Sequence, residues 1–175
     1  MPDAASNRFV ALLRAVNVGG TGKLPMAELK AMCEALGYAG VKTYIASGNV
    51  VFRTAEPEAL VQAALEARLE AYAGKPVGVH VRSAAELSAI LAGNPFPEAA
   101  PNRTLVMFLD RKADADLAGA VTGRTLEDVR PGKRELYIHY PDGQADSKLK
   151  LPKGVGATGR NINTVTKLAE LTSAL

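Results

Sequence analysis

The stretch Val41-Lys-Thr-Tyr-Ile-Ala-Ser-Gly-Asn-Val-Val-Phe-Arg53 sets the fold. Residues 41–46 and 49–53 are rich in β-branched and aromatic side chains, and only Ser47-Gly48 separates them, the spacing of a two-residue β-hairpin. Upstream, Phe9-Val-Ala-Leu-Leu13 is a short apolar run without Gly or Pro and reads as a buried strand. A glycine-rich loop follows it, and then a helical face of Met26, Leu29, Met32, Cys33 and Leu36, with Pro25 at its start and Gly37 as its stop. Downstream, Glu56 and Glu58 open a second helix whose expected face is Leu60, Val61, Ala64, Leu65, Leu69 and Tyr72, and residues 77–82 form a fourth strand. The order β-α-β-β-α-β is that of a ferredoxin-like unit.

The rest of the chain repeats most of this order. Ser83-Ala-Ala-Glu86 reads as a capping box that opens an extra helix over 84–93. Residues 104–109 form a strand, residues near 112–121 a short helix, and 125–130 with 135–140 a hairpin across Pro131-Gly132. A long connection over 141–163, with a turn expected in 145–151, leads to a final helix over 164–174. The expected fold is therefore α+β, a tandem duplication of ferredoxin-like halves at 1–83 and 84–175, the second lacking a clear last strand. In both first strands the successive positions 9–13 and 105–109 are all apolar, so each sheet should be covered on both faces, by the other half, the extra helix or a second subunit.

Composition narrows the function classes. A chain of 175 residues with 47% apolar and 22% charged residues is long enough to bury a core and too short for a large multidomain enzyme. The formal charge of +3 is too small for the basic footprint of a dedicated nucleic-acid binder. Its distribution is uneven: residues 1–129 hold 13 Lys and Arg against 14 Asp and Glu, and 130–175 hold 8 against 4. With 5% aromatics and no Trp, a base-stacking sheet is not supported. One cysteine, no basic n-region with an apolar run behind it, and no run long enough to span a bilayer give a cytoplasmic expectation without membrane contact.

The topology brings two polar segments together. Strand one and the first hairpin end at the same edge of the unit, so Arg14, Asn17, Gly19, Gly20 and Lys23 should approach Ser47, Gly48 and Asn49. Glycines admit a ligand close to backbone N–H groups, and two cations favour a phosphate or carboxylate. A second cluster, Arg160, Asn161, Asn163, Thr164 and Lys167, marks the start of the last helix, with Asn163 as the expected N-cap. The plainer alternative is that the glycines only permit a tight loop and the asparagines only cap. The nucleotide P-loop pattern is not met, because Asn17 stands for its first Gly and Leu24 for its Ser or Thr, and the dinucleotide fingerprint fails on spacing. Cys33 falls on an apolar helix face and reads as a core thiol. His80 and His139 lack partners at metal-ligand spacing, and Asp110, Asp114 and Asp116 read as solvated acids, so no metal, cofactor or catalytic residue is expected.

Three stretches carry a resemblance: Leu13-Arg-Ala-Val-Asn-Val-Gly-Gly20, Thr43-Tyr-Ile-Ala-Ser-Gly-Asn-Val-Val-Phe52, and Thr158-Gly-Arg-Asn-Ile-Asn-Thr-Val-Thr-Lys-Leu168. With Val81-Arg-Ser-Ala-Ala-Glu-Leu87, Asn94-Pro-Phe96 and Leu136-Tyr-Ile-His-Tyr-Pro-Asp-Gly143 between them, the chain resembles the bacterial domain-of-unknown-function family 1697 over roughly residues 8–172. The resemblance implies a duplicated α+β fold and no assigned activity. Its polar positions fall on the residues already singled out, and Ala15 stands where the family pattern has glycine. The functional expectation is a binding protein for an anionic, phosphate-bearing ligand such as a nucleotide or a nucleic-acid backbone. Its rivals are a phosphoryl or acyl transferase using the same groups as oxyanion stabilisers, and an interaction module, self-association included, without a ligand.

Overall fold

The computed structural model describes residues 6–14 and 23–175. The first sheet comprises β1 (Asn7–Leu13), β2 (Ala39–Thr43), β3 (Asn49–Thr54) and β4 (Val79–Ser83), with helices α1 (Met26–Ala35), α2 (Glu58–Ala73) and α3 (Ala84–Ala92). The second comprises β5 (Thr104–Leu109), β6 (Asp128–Pro131), β7 (Glu135–His139) and β8 (Ala157–Asn161), with α4 (Ala115–Gly119) and α5 (Ile162–Ser173). Both sheets are four-stranded and antiparallel, in the orders β2-β3-β1-β4 and β6-β7-β5-β8. The chain divides into two compact units, Met1–Leu87 with Leu168–Leu175, and Ser88–Lys167.

Three expectations need correction. The second sheet has its last strand: β8 lies inside the 141–163 connection and pairs with β5 from Leu105↔Asn161 to Leu109↔Ala157. The helix after it starts at Ile162 rather than at residue 164. The first hairpin is wider than two residues, since β2 ends at Thr43 and residues 44–48 form the turn. Helix α2 buries Val61, Leu65 and Leu69, a narrow stripe, while Leu60 and Tyr72 are exposed.

In the first unit one sheet face carries Phe9, Ala11, Leu13, Val50, Phe52, Val79 and Val81 against Leu29, Met32 and Cys33 of α1 and Val61, Leu65 and Leu69 of α2. Tyr38 stacks on Phe52 at 4.5 Å between ring centroids. Its hydroxyl is buried with no hydrogen-bond partner among the described residues, and burial, with Glu56 and Cys33 adding to it, pushes the phenol up to about 12. Removing a buried donor that has no acceptor stabilises rather than weakens a fold. Tyr38→Phe is therefore expected to unfold at the same urea midpoint or a higher one, by up to about 1 kcal/mol. A loss larger than that would show that the hydroxyl is bonded.

The other face of each sheet is also buried, and it mixes apolar with polar side chains. Val10, Leu12, Asn49, Val51, His80 and Arg82 form it in the first unit; Thr104, Val106, Phe108, Glu135, Tyr137, Thr158 and Arg160 form it in the second. The end of α5 lies near this first face, where Arg8 Nη1 donates to the Ser173 carbonyl. In the second unit Tyr137 Oη donates to the Ile90 carbonyl of α3 at 2.7 Å. The registers of the two sheets match position for position: Val10↔Arg82 and Leu12↔Asn49 in one correspond to Val106↔Arg160 and Phe108↔Glu135 in the other. Each buried arginine precedes a helix-capping residue. Ser83 and Glu86 form the expected capping box, with Glu86 N–H to Ser83 Oγ at 3.1 Å and Ser83 N–H to Glu86 Oε1 at 2.9 Å.

The connection from β7 to β8 is fastened to the loop before β6. Thr122 and Lys150 exchange backbone bonds, and the buried Glu127 carboxylate accepts from Thr125 N–H at 2.7 Å and from Ser147 Oγ at 2.7 Å. These bonds, the Thr125 amide foremost, bring Glu127 down to about 2. A carboxylate depressed in the folded state stabilises it above the ordinary carboxylate range, and that stability is lost as pH falls towards about 2. The stability difference between the native chain and Glu127→Gln, followed by urea melts, is expected to be largest above about pH 5 and to shrink steadily below it. A difference independent of pH would refute the assignment.

Candidate functional site

At the end of β1 two backbone bonds fix what meets there. Leu13 N–H donates to the Gly48 carbonyl and Arg14 N–H to the Gly78 carbonyl, both at 2.9 Å. Arg14, the 44–48 turn and the approach to β4 thus share one end of the first sheet. The Arg14 guanidinium lies over Gly78, so that a Cβ on that glycine would come within 2.7 Å of its central carbon. Gly78 lets the side chain lie flat against the backbone. No acidic side chain is in ion-pair range of Arg14 among the described residues.

The turn is held from beneath. Asn49 is fully buried, and its Nδ2 donates to the Tyr44 carbonyl at 2.9 Å and to Ser47 Oγ at 3.0 Å. Tyr44 N–H closes the loop on the Asn49 carbonyl at 3.0 Å. Gly48 takes φ +91°, and Ile45, half exposed at the tip, takes φ +51°. A β-branched residue in the left-handed region carries strain of about 1–2 kcal/mol, which persists only where neighbouring bonds impose it. Here the Asn49 amide imposes it. Ser47 and Asn49 thus shape the turn. Lys23 is exposed, two residues before Pro25. Asn17, Gly19 and Gly20 lie outside the described residues.

The second unit has the same end of sheet with different chemistry. Leu109 N–H donates to the Arg134 carbonyl and Asp110 N–H to the Gly156 carbonyl, both at 2.9 Å. Where the first unit has Arg14, this one has Asp110. Its Oδ2 accepts from Gly156 N–H at 3.1 Å, and its Oδ1 pairs with Arg111 Nε at 2.9 Å. Asp110 is thus an exposed acid, as expected, that also clamps this end of the sheet. Glu135, the counterpart of Asn49, holds its own turn by accepting from Lys133 N–H at 2.5 Å.

The last sequence cluster divides by position. Arg160 sits on β8, not in a loop; it is buried, its Nη1 donates to Thr158 Oγ1 at 2.8 Å and the Gly159 carbonyl at 2.9 Å, and burial lowers it to about 10. The α5 cap is Asn161, whose Oδ1 accepts from Thr164 N–H at 2.9 Å. Asn163, the expected cap, is exposed in the first turn, as is Lys167 in the next. Spacing alone missed Gly78, Arg82 and the Asp110 clamp; the signal that could have found the arginines is the repeated Arg followed by Ser or Asn before a helix, at Arg82-Ser83 and Arg160-Asn161. Cys33 is a core thiol, pushed up to about 12 by burial first and by Glu34 second. His80 is buried in β4, and His139 packs at 5.4 Å from the Phe96 ring, which Arg130 also overlies. Asp114 caps α4 through Leu117 N–H at 2.8 Å.

Two four-stranded antiparallel sheets with five helices among the described residues define an α+β protein of two similar halves. The chain belongs to the family described as protein of unknown function DUF1697, whose model matches residues 6–137. Two of the three stretches that carry the resemblance fall in that span, and Thr158–Leu168 lies beyond it. The conserved bacterial protein SP0830 from Streptococcus pneumoniae shares the fold at a TM-score of 0.79 and 24% identity, over 95% of this chain and 99% of that one. No curated protein matches the chain. No helix among the described residues is long and apolar enough to cross a membrane.

Proposed function

We propose that this cytoplasmic protein binds a small anionic ligand at the end of its first sheet, between Arg14, Gly78 and the strained 44–48 turn. The observation that carries this reading is the Arg14 guanidinium held against Gly78, half-buried and with no carboxylate of the described chain in ion-pair range. A cation partly removed from water gains most from an external anion, because its own hydration is already reduced. Ser47 and Asn49 act by holding the turn, and Lys23 adds positive potential. Arg160 and Asn161 serve the second unit's strand and cap. No observation favours the transferase reading. The matching registers support a further part of the proposal, that the units arose by duplication of one ferredoxin-like β-α-β-β-α-β unit, the second having lost the helix between its third and fourth strands.

The test is calorimetric titration with phosphate, sulfate, simple carboxylates and nucleotides. A charge-assisted hydrogen bond contributes about 1.5–3 kcal/mol, so Arg14→Ala should weaken the best anion roughly 10- to 150-fold while leaving the thermal melt in place. Affinity unchanged for every anion that binds would overturn the proposal.

A further inference from the structure

Resting on that reading, we infer that the ligand is a small-molecule carboxylate, seated where the second unit keeps a carboxylate of its own. The two sheet ends are built alike, with Arg14 N–H on the Gly78 carbonyl in one and Asp110 N–H on the Gly156 carbonyl in the other. In the second unit the Asp110 carboxylate bridges two donors, the Gly156 amide at 3.1 Å and the Arg111 guanidinium at 2.9 Å. In the first unit both kinds of donor remain and the carboxylate is gone. The Gly78 N–H finds no acceptor among the described residues, and a guanidinium lies over the same glycine. One half of the molecule carries its anion covalently; the other presents the donors for an anion from solution.

The donors match a planar acceptor with two oxygens, one for the amide and one for the guanidinium fork. Phosphate fits less well, because its second charge would meet Glu66, whose Oε2 accepts from Val79 N–H, the next amide along, at 3.2 Å. A monoanion meets half that repulsion.

The test is amide NMR on the full chain, titrated with acetate, with free glutamate and with inorganic phosphate at constant ionic strength, chloride serving as the control salt. Acetate and glutamate are expected to move the Gly78 and Val79 amides saturably, with half-saturation at least fivefold below that of phosphate. Gly78→Ala takes the space of the guanidinium without backbone strain, since Gly78 has no positive φ, and should weaken acetate at least tenfold. Arg14→Asp installs the second unit's carboxylate and should abolish the acetate response while raising the melting temperature; this variant decides the matter if Gly78→Ala does not fold. Phosphate binding as tightly as acetate would overturn the carboxylate assignment and leave anion binding standing. Gly78 and Val79 amides unmoved by all three anions would overturn both.

Discussion

Phe52→Ala is expected to destabilise the chain by about 3–5 kcal/mol, a large share of the roughly 5–15 kcal/mol that holds a typical domain together. Phe52 is fully buried on β3, an inner strand of its sheet, and its ring is the meeting point of the first unit's core. Tyr38 stacks on it at 4.5 Å with the planes 11° apart, and Phe9 meets it edge-on at 6.4 Å. Truncation removes the ring's transfer free energy, strands two aromatic partners, and leaves a cavity that two hydrogen-bonded neighbour strands cannot collapse to fill. Phe52→Leu, which keeps most of the volume, should cost much less, about 1–2 kcal/mol. Urea unfolding reads both: the midpoint should fall with an unchanged slope. A loss under about 1 kcal/mol for the alanine variant would mean that this face is not packed as described.

That Phe52 lies in a strand could be read from its neighbours, because Val50-Val-Phe52 follows a Ser-Gly turn and a β-branched and aromatic stretch precedes it; its place at the centre of the core appears only in the packing. The strand that escaped reading is β8. Ala157-Thr-Gly-Arg-Asn161 has almost no apolar content, and its buried positions are an arginine and a threonine. It is a strand because β5 offers a free edge, and Gly159 suits it because a Cβ there would press on Leu105 Cδ2 at 2.7 Å. Tertiary pairing outweighed propensity. The same competition shortened β2. Tyr44-Ile-Ala46 has strand-forming residues, yet the buried Asn49 amide takes the Tyr44 carbonyl out of the ladder and makes a loop of them. For the site, strand order was enough to place Arg14 beside residues 47–49. Gly78 was not legible, since a glycine inside the expected strand 77–82 carries no polar signal until the side chain lying on it is seen. With two asparagines in Asn161-Ile-Asn163, the choice of cap was settled by how far β8 pairs along β5, which reaches Asn161.

The second large effect is expected at Gly123, where Ala should cost about 2–5 kcal/mol. Two penalties add there. Gly123 has φ +75°, where a Cβ crowds the following carbonyl at about 1–2 kcal/mol. A Cβ would also drive into the Lys148 carbonyl, coming within 2.7 Å of its carbon, and backbone cannot rotate aside as a side chain can. The chain must then shift where Thr122 and Lys150 exchange bonds and Glu127 accepts from Ser147, so the fastening of the long connection loosens as a unit. Two other glycines separate the contributions. Gly143 has φ +84° and open space, with nothing within 4 Å of the position a Cβ would take, so its alanine variant carries the conformational cost alone, about 1–2 kcal/mol. Gly119 is helical with open space around it, and Gly119→Ala should gain about 0.5–1 kcal/mol. Melts of the three variants should therefore rank Gly119→Ala above the native chain, Gly143→Ala below it and Gly123→Ala lowest, with hydrogen exchange at the Thr122 and Lys150 amides accelerated in the last alone. Equal losses at Gly123 and Gly143 would mean that the Lys148 carbonyl yields freely and that the connection is not anchored there.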